Sequence, residues 1–429
     1  MDKQTIIENL QKWNFWNQAI NTGVKRVQYL EKLEKLLNIP EVIALIGVRR
    51  SGKSILCYQL LEKLINIDKV PRQNTLFINF EDPFWGEIVS LTTLTDIYQA
   101  YLENKAPKGK VYLFLDEVQK VEKWEKFVLS LYDSHQQVKV FVTGSSSSLL
   151  ENNISTLLSG RYLIKKIFPL NFSEFLDFKN TNLNKITNNA FIFNLLHEYL
   201  QYGGFPRVVL EKDKTIKNYL LQEYYNSIIE KDIIFKNNIK NKIEVKNLAL
   251  YIMSNIGSLF STYATAKQLD ISHQNINNYL NFFEEAFLIS RISKFDYSVK
   301  KQIYNPDKIF VVDTGLSQIA GFSFSENVGH YLENLVFQYY SQKGKRLYYW
   351  KNGTEIDFVI KEGIKSKKII NVCYSLNEKT GEREITSFEK AKKIFTKIEK
   401  ELIYWEKSEK FKNISGIKLR RIIDLLLKK

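Results

Sequence analysis

Residues 47–54, reading GVRRSGKS, decide how the rest of the chain is read. The five residues before them, VIALI at 42–46, form an apolar run of strand length, and ILCYQLL at 55–61 has helical patterning. Strand, glycine loop and helix in that order, with GxxxxGK[ST] spacing, make a cradle for phosphate. Gly47 and Gly52 permit a tight turn that points successive N–H groups inward at anionic oxygens. The following helix adds the positive end of its dipole. This spacing assigns Lys53 to the β- and γ-phosphates of ATP and the Ser54 hydroxyl to Mg²⁺. The expected binding loop is Gly47, Val48, Arg49, Arg50, Ser51, Gly52, Lys53, Ser54 and Ile55. A lysine-bearing surface turn is the rival, and flanks and spacing together argue against it.

Working outward, VYLFLDE at 111–117 is an apolar strand that ends in two carboxylates. A strand parallel to the first delivers both acids to the sheet edge where open α/β sheets bind ligands. Asp116 is expected to hold Mg²⁺ through water, and Glu117 to orient or deprotonate an attacking water. Adjacent acids also end ordinary strands; the pairing with the glycine loop is what makes Lys53, Asp116 and Glu117 a catalytic set. The segment TLFINFED at 75–82 reads as another strand, whose Glu81 and Asp82 either face the nucleotide or merely end the strand. A further strand, VKVFVTG at 138–144, runs into four serines. Thr143 and Ser145 are candidates for sensing the γ-phosphate or its water, against the alternative of a polar loop that caps the next helix. Arg161, just after Gly160, could serve as an arginine finger in cis or in trans, or form a structural salt bridge. The turn Tyr202-Gly203-Gly204-Phe205-Pro206-Arg207 interrupts a helical region. Two glycines and a proline imply a tight, specific backbone there, which could press Gly204 and Pro206 against a base, with Arg207 reaching phosphate.

A chain of 429 residues is long enough for two or three domains with ample core. Its formal charge of +15 suits nucleic acid or another acidic partner, although the basic residues are spread along the chain and many lysines simply solvate a surface. Two cysteines, Cys57 and Cys373, far apart, predict a reduced cytoplasmic protein without disulfides. No signal peptide is visible, and no apolar run approaches the roughly twenty residues of a membrane span. Residues 1–38 read as helical, with Trp13, Phe15 and Trp16 as core packing.

These segments carry a family resemblance. GVRRSGKS, FINFED, LFLDEVQKVEKWE, VTGSSSSLL, SGR, PLNFSEFL and GGFP, with IEKDI, IFVVDTGL, YLENLVFQYY and TEIDFVI further on, resemble the AAA-type P-loop ATPase family of archaea and bacteria. In that family the ATPase core is followed by a C-terminal winged-helix and restriction-endonuclease-like region of uncharacterised function. The resemblance implies a core related to origin-recognition and signal-transducing ATPases, and it places Gly203, Gly204 and Pro206 on the lid turn near the adenine.

Beyond the core, ATAKQLDIS at 264–272 and QNINNYL at 274–280 read as helix, short turn, helix, with Ser272 as the cap. Ile276, Leu280 and Phe283 face the core, and residues 287–291 and 294–297 could form a β-wing. Gln274, Asn275, Asn277 and Asn278 are then free to touch base edges or phosphates, unless the module docks protein or is structural. Near the C-terminus, a helix carries Glu333 and a strand carries Asp357, ahead of a strand at 369–373. That is the layout of nucleases in which acids hold Mg²⁺ and a lysine activates water. The positions expected to hold Glu and Lys hold Asn371 and Cys373, which supply neither negative charge nor ammonium. A fold that does not cleave is expected, although Glu333, Glu355 and Asp357 could still gather a divalent ion.

The whole chain is therefore expected to be α/β. A P-loop NTPase (AAA-type) core with helical lid is followed by a winged helix-turn-helix and a degenerate restriction-endonuclease-like α/β domain. The expected divisions are 1–38, 39–170, 171–240, 241–300 and 301–429. The expected activity is Mg²⁺-dependent ATP hydrolysis that drives a switch or motor acting on DNA or a protein complex. The alternatives are an ATP-regulated DNA nuclease and an ATP-bound, DNA-binding scaffold with little turnover. Duplex DNA, bound weakly and with low specificity, and a protein client are the expected partners.

Overall fold

A computed structural model describes residues 2–134, 137–144, 158, 160–181, 189–320, 328–363, 365–396, 398–409, 411 and 414–427. The chain divides into two compact units, residues 1–167 and 168–429.

The first unit is built on five strands: β1 (Val42–Ile46), β2 (Thr75–Asn79), β3 (Val111–Asp116), β4 (Val138–Gly144) and β5 (Tyr162–Lys166). All pair in parallel, in the order β2-β3-β4-β1-β5. Every residue of β1 and of β3 is buried, the signature of parallel strands covered on both faces. Ile43, Leu45, Leu56, Leu60, Phe77, Phe114 and Phe141 join in one core. β4 lies between β1 and β3, with Ile46 opposite Gly144 and Leu115 opposite Val142. Register therefore carries the loop after β1, the acid at the end of β3 and Thr143 to one edge.

The amino-terminal region is not one helical run. Helices Lys3–Gln11 and Val27–Glu34 flank an irregular stretch whose side chains bind the outer edge of β2. Asn14 Nδ2 donates to the Phe77 carbonyl at 2.9 Å, and the Phe77 N–H donates back to Asn14 Oδ1 at 2.8 Å. Trp16 Nε1 donates to Thr75 O at 2.8 Å, and Trp85 Nε1 to Asn79 O at 3.0 Å. Phe15 and Trp16 are buried, as core packing requires.

The second unit opens with helices Phe172–Phe178, Asn189–Tyr202, Pro206–Leu210 and Lys214–Ser227, a π-helix at Ile228–Phe235, and helix Lys242–Ser254. Three short strands follow: β6 (Leu259–Phe260), β7 (Ile289–Ile292) and β8 (Asp307–Val311), antiparallel in the order β6-β8-β7. Helices Thr262–Leu269 and His273–Glu285 stand between β6 and β7. Ser272 accepts from Asn275 N, and Ile276, Leu280 and Phe283 are buried, as their spacing predicts. The partner of β7 is not residues 294–297. Ser298 caps a helix at Val299–Tyr304 inside that connection, Lys294 bridges instead to Tyr349, and the ribbon closes only at β8.

A second five-stranded sheet holds β9 (Arg346–Lys351), β10 (Glu355–Glu362), β11 (Lys365–Leu376), β12 (Glu399–Lys407) and β13 (Lys418–Arg421). Its order is β13-β12-β11-β10-β9, antiparallel from β9 to β11 and parallel from β11 to β13. Helix Val328–Gln342 precedes this sheet, and helix Glu378–Lys392 connects β11 to β12.

Candidate functional site

Lys53 begins the helix Lys53–Asn66, with Gly52 as its N-cap in the left-handed region at φ 96°. Gly47 allows the close approach that seats the loop, because a Cβ there would lie 2.1 Å from the Ile167 carbonyl oxygen. Lys53 is 4% exposed, and its ammonium donates to Gly47 O at 3.0 Å and Val48 O at 3.2 Å. Ser51 N–H closes the turn onto Val48 O at 3.3 Å. Arg50 takes a left-handed backbone at φ 67°, while Arg49 pairs with Glu81 at 3.1 Å. Val48 is buried and Ile55 exposed, which leaves Ile55 a helix-surface residue rather than a lining one.

The acids arrive from β3. Ser54 Oγ donates to Asp116 Oδ1 at 3.0 Å, a hydroxyl and carboxylate of the type a hard divalent cation takes. Burial first, and then neighbouring Glu117, push Asp116 up to about 7, while Thr143, Ser54 and Lys53 hold it down. Glu117 is 7% exposed and sits in the left-handed region at φ 52°, where a side chain other than glycine is strained. Gln119 Nε2 donates to Glu117 Oε2 at 2.5 Å. Thr143 links the two acids. Its hydroxyl donates to Asp116 Oδ1 at 2.5 Å and accepts from the Glu117 N–H at 3.0 Å. A hydroxyl has one proton to donate, so in this geometry Thr143 positions the acids rather than contacting phosphate. Ser145 lies outside the described residues.

Two residues of the site were not legible in the sequence. Arg26, 3% exposed, donates from Nη1 to Ser51 O at 3.0 Å and braces the phosphate loop from behind. Gln59 Oε1 accepts from the Arg26 N–H at 3.0 Å and holds it there. No local motif marks either of them. Asp82, one of the two acids after β2, accepts from Trp13 Nε1 at 2.8 Å and from Phe84 N at 3.0 Å, a structural role.

Arg161 is not brought to this loop within its own unit. Its carbonyl accepts from Val42 N, at the start of β1, and the loop leaves the far end of that strand, roughly 16 Å away at 3.3 Å per residue. Its guanidinium lies 3.5 Å from Asp133 and 5.7 Å from the Tyr132 ring. This corrects the cis-finger expectation. A cleft of about 700 Å³ is also at that opposite end, lined by Glu31, Lys63, Asp68 and Tyr112 among others.

Gly204, Pro206 and Arg207 belong to the second unit. Gly204 donates its N–H to Asp313 Oδ2 at 2.7 Å, and its carbonyl accepts from Leu170 N at 2.7 Å. A Cβ on Gly203 would meet Asp313 Oδ1 at 1.8 Å, and one on Gly204 would meet Leu170 O at 2.2 Å. Packing therefore requires a glycine at both positions, and at Gly203 so does its left-handed backbone at φ 71°. Pro206 occupies the first turn of its helix, and Arg207 pairs with Glu211 at 2.9 Å.

The amides at 274–278 divide. Gln274 and Asn278 are exposed. Asn275 Nδ2 donates to Glu244 at 3.1 Å, and Asn277 Nδ2 to the His273 carbonyl at 3.1 Å, so each is already engaged within the fold.

Further along, Glu333, Glu355 and Asp357 do converge. They converge on Lys308 of β8, at 3.0, 2.6 and 3.3 Å respectively. Asn371 Nδ2 donates to Glu384 at 2.5 Å, its Oδ1 accepts from Asp357 N at 3.2 Å, and burial pushes the Cys373 thiol up to about 12.

Over residues 40–176 the chain matches a family described as an AAA domain, and over 193–325 a domain of unknown function, DUF8612. It is 37% identical over 381 residues to the uncharacterised protein MJ1544 of Methanocaldococcus jannaschii, covering 86% of this chain and 82% of that one. It is 32% identical over 414 residues to an uncharacterised protein of Haemophilus influenzae, covering 94% and 98%. Among solved structures it is similar to Cdc6p from Pyrobaculum aerophilum, at 14% identity and TM-score 0.32 over 68% of this chain and 91% of that one. It is also similar to the Aeropyrum pernix ORC1 protein solved in complex with DNA, at 10% identity and TM-score 0.33 over 69% and 91%.

Proposed function

We propose that this chain, which belongs to the family of MJ1544 and its Haemophilus influenzae relative and carries an AAA domain, binds ATP with Mg²⁺ and hydrolyses it to switch a C-terminal region that acts on DNA or a protein complex. One observation carries the reading. At the carboxyl edge of a single parallel sheet Ser54, Asp116, Thr143 and the Glu117 N–H are linked by hydrogen bonds of 2.5–3.0 Å, and Lys53 stands in the adjoining loop on the Gly47 and Val48 carbonyls. Ser54 and Asp116 would hold Mg²⁺, which draws charge from the phosphates. Lys53 would leave its carbonyl partners for the β- and γ-phosphates, and Glu117 would align water against the γ-phosphorus. Mg²⁺-dependent phosphate release from ATP tests the reading; ATP binding without release would favour the scaffold.

In the second unit, the order helix Lys242–Ser254, β6, two helices, β7, β8 supports a winged helix-turn-helix. Its connection at 293–306 exposes Tyr297, Lys300, Lys301 and Tyr304. With a formal charge of +15, weak binding to duplex DNA of any sequence is expected, because each phosphate contact releases counterions. Even two such contacts would lower affinity roughly tenfold between about 50 and 200 mM salt. Fluorescence anisotropy with labelled duplexes measures this. Absence of binding at low salt, or binding indifferent to salt, would point to a protein client.

The mixed sheet β9–β13, with Glu333 on a helix and Asp357 on a strand, supports a nuclease-like fold that has lost its chemistry. A metal must clamp the scissile phosphate while a base makes hydroxide in line with it. Here Lys308 takes up the acids, and a buried Cys373 stands where an ammonium is needed. Incubation with supercoiled and linear DNA and Mg²⁺ or Mn²⁺ is expected to leave both intact. Cleavage that disappears in Asp357→Ala would instead make the chain an ATP-regulated nuclease.

A further inference from the structure

Lys308 is 2% exposed, and the three protons of its ammonium face three carboxylates contributed by two other elements of the same unit. Glu333 comes from helix Val328–Gln342, and Glu355 and Asp357 from β10, whereas Lys308 comes from the β6-β8-β7 ribbon. Burial works against the ammonium, yet Glu333, Asp357 and Glu355 together raise it above its ordinary value. Lys351 reaches Glu355 at 3.1 Å from the rim, and His330 Nδ1 lies 3.7 Å from Glu333. A cavity of about 280 Å³ adjoins the cluster, lined by Glu333, Glu355, Asp357, Asn371, Arg383 and Glu384 among others. Among the described residues no three His, Cys, Asp or Glu side chains stand ready for a metal as the chain is folded.

We propose that Lys308 is an intramolecular plug: it occupies the position of a divalent cation among Glu333, Glu355 and Asp357 and so keeps Mg²⁺ or Mn²⁺ out of a cluster that binds one once the ammonium is removed. Three carboxylate oxygens within 3.3 Å of one point are close to a hard-cation ligand set, and small inward shifts bring them to the 2.0–2.6 Å of Mg²⁺ or Ca²⁺ coordination. The plug has a second effect, because it ties the β6-β8-β7 ribbon to β10 by charge. A single lysine thereby replaces a metal both as counter-charge and as cross-link. Removing it without a substitute leaves one buried and two half-buried acids to repel one another, and a divalent cation is the substitute with the matching chemistry.

The test uses the full-length, nucleotide-free chain and Mn²⁺ as the probe, followed by electron paramagnetic resonance. Lys308→Ala is expected to gain one Mn²⁺ per chain at least roughly tenfold tighter than any site in the wild type. Adding Asp357→Asn should abolish the gain. A wild type that already shows an Asp357-dependent Mn²⁺ site would overturn the proposal, as would a folded Lys308→Ala chain that takes up no additional Mn²⁺. Should Lys308→Ala be unfolded, excess Mn²⁺ during refolding is expected to restore a cooperative melting transition. A chain that stays unfolded in Mn²⁺ counts against the proposal equally.

Discussion

Lys53→Ala is expected to abolish ATP hydrolysis, with phosphate release falling by roughly 10²–10³ or more, the range for removing a preorganised charge from a transition state. The loop offers backbone N–H groups to phosphate, but an ammonium at the β- and γ-oxygens is needed to neutralise charge as the bond breaks. The fold should survive. Lys53 is buried but bonds to the carbonyls of Gly47 and Val48 alone, so the loss in stability is about 1–2 kcal/mol. Circular dichroism should be unchanged, and isothermal titration should report weakened or absent ATP binding. Wild-type turnover by the purified variant would remove Lys53 from the site.

Glu117→Gln separates binding from chemistry. The amide is isosteric, so the left-handed backbone and its N–H bond to Thr143 can persist, but the carboxylate that aligns or deprotonates water is gone. Hydrolysis should slow by about 10²–10⁴, the contribution of a general base. Mg²⁺–ATP binding should be retained. Glu117 is one of the groups that raise Asp116, so neutralising it makes Asp116 easier to ionise and a better Mg²⁺ ligand. Single-turnover quench against titration calorimetry resolves the two effects. Equal losses in both would place Glu117 in a structural or metal-holding role.

What could be read from the sequence is what lies close together along it. The strand–loop–helix around Lys53, the acid pair on β3 and the strand ending at Thr143 each sit within one local pattern, and spacing alone placed them. The partners of those residues could not be read so, because contact across a fold leaves no periodic trace. Arg26 meets Ser51 from 25 residues away, Lys308 meets Asp357 across 49, and Gly204 meets Asp313 across 109. The glycine turn was recognisable as a turn, but its reason lies in Asp313 and Leu170, and no spacing rule points there. Lys308 sits in DKIFV, between Asp307 and three apolar residues. A lysine leading such an apolar run is a signal in itself, since a charge is not buried without partners. The ribbon was misplaced for a related reason. Helix Val299–Tyr304 intervenes in the connection, so the chain turns back to pair with β7 only at β8.

The outer edge of β2 has a consequence for how copies of this protein can stick together. An unpaired strand edge is a template on which another chain can add a strand, and natural sheets block such growth by charge, by bulges or by cover. Here the outward carbonyls of Thr75, Phe77 and Asn79 are each taken by a side chain, from Trp16, Asn14 and Trp85, and the Phe77 N–H is taken as well. Asn14 imitates one residue of a neighbouring strand without continuing the ladder. The opposite edge, β5, ends on Lys165 and Lys166. Amyloid-like stacking and strand exchange are therefore disfavoured at both margins of the sheet, by hydrogen-bond mimicry on one side and by charge on the other. Self-association of this unit has to proceed through loops and helical faces, which can release as well as bind.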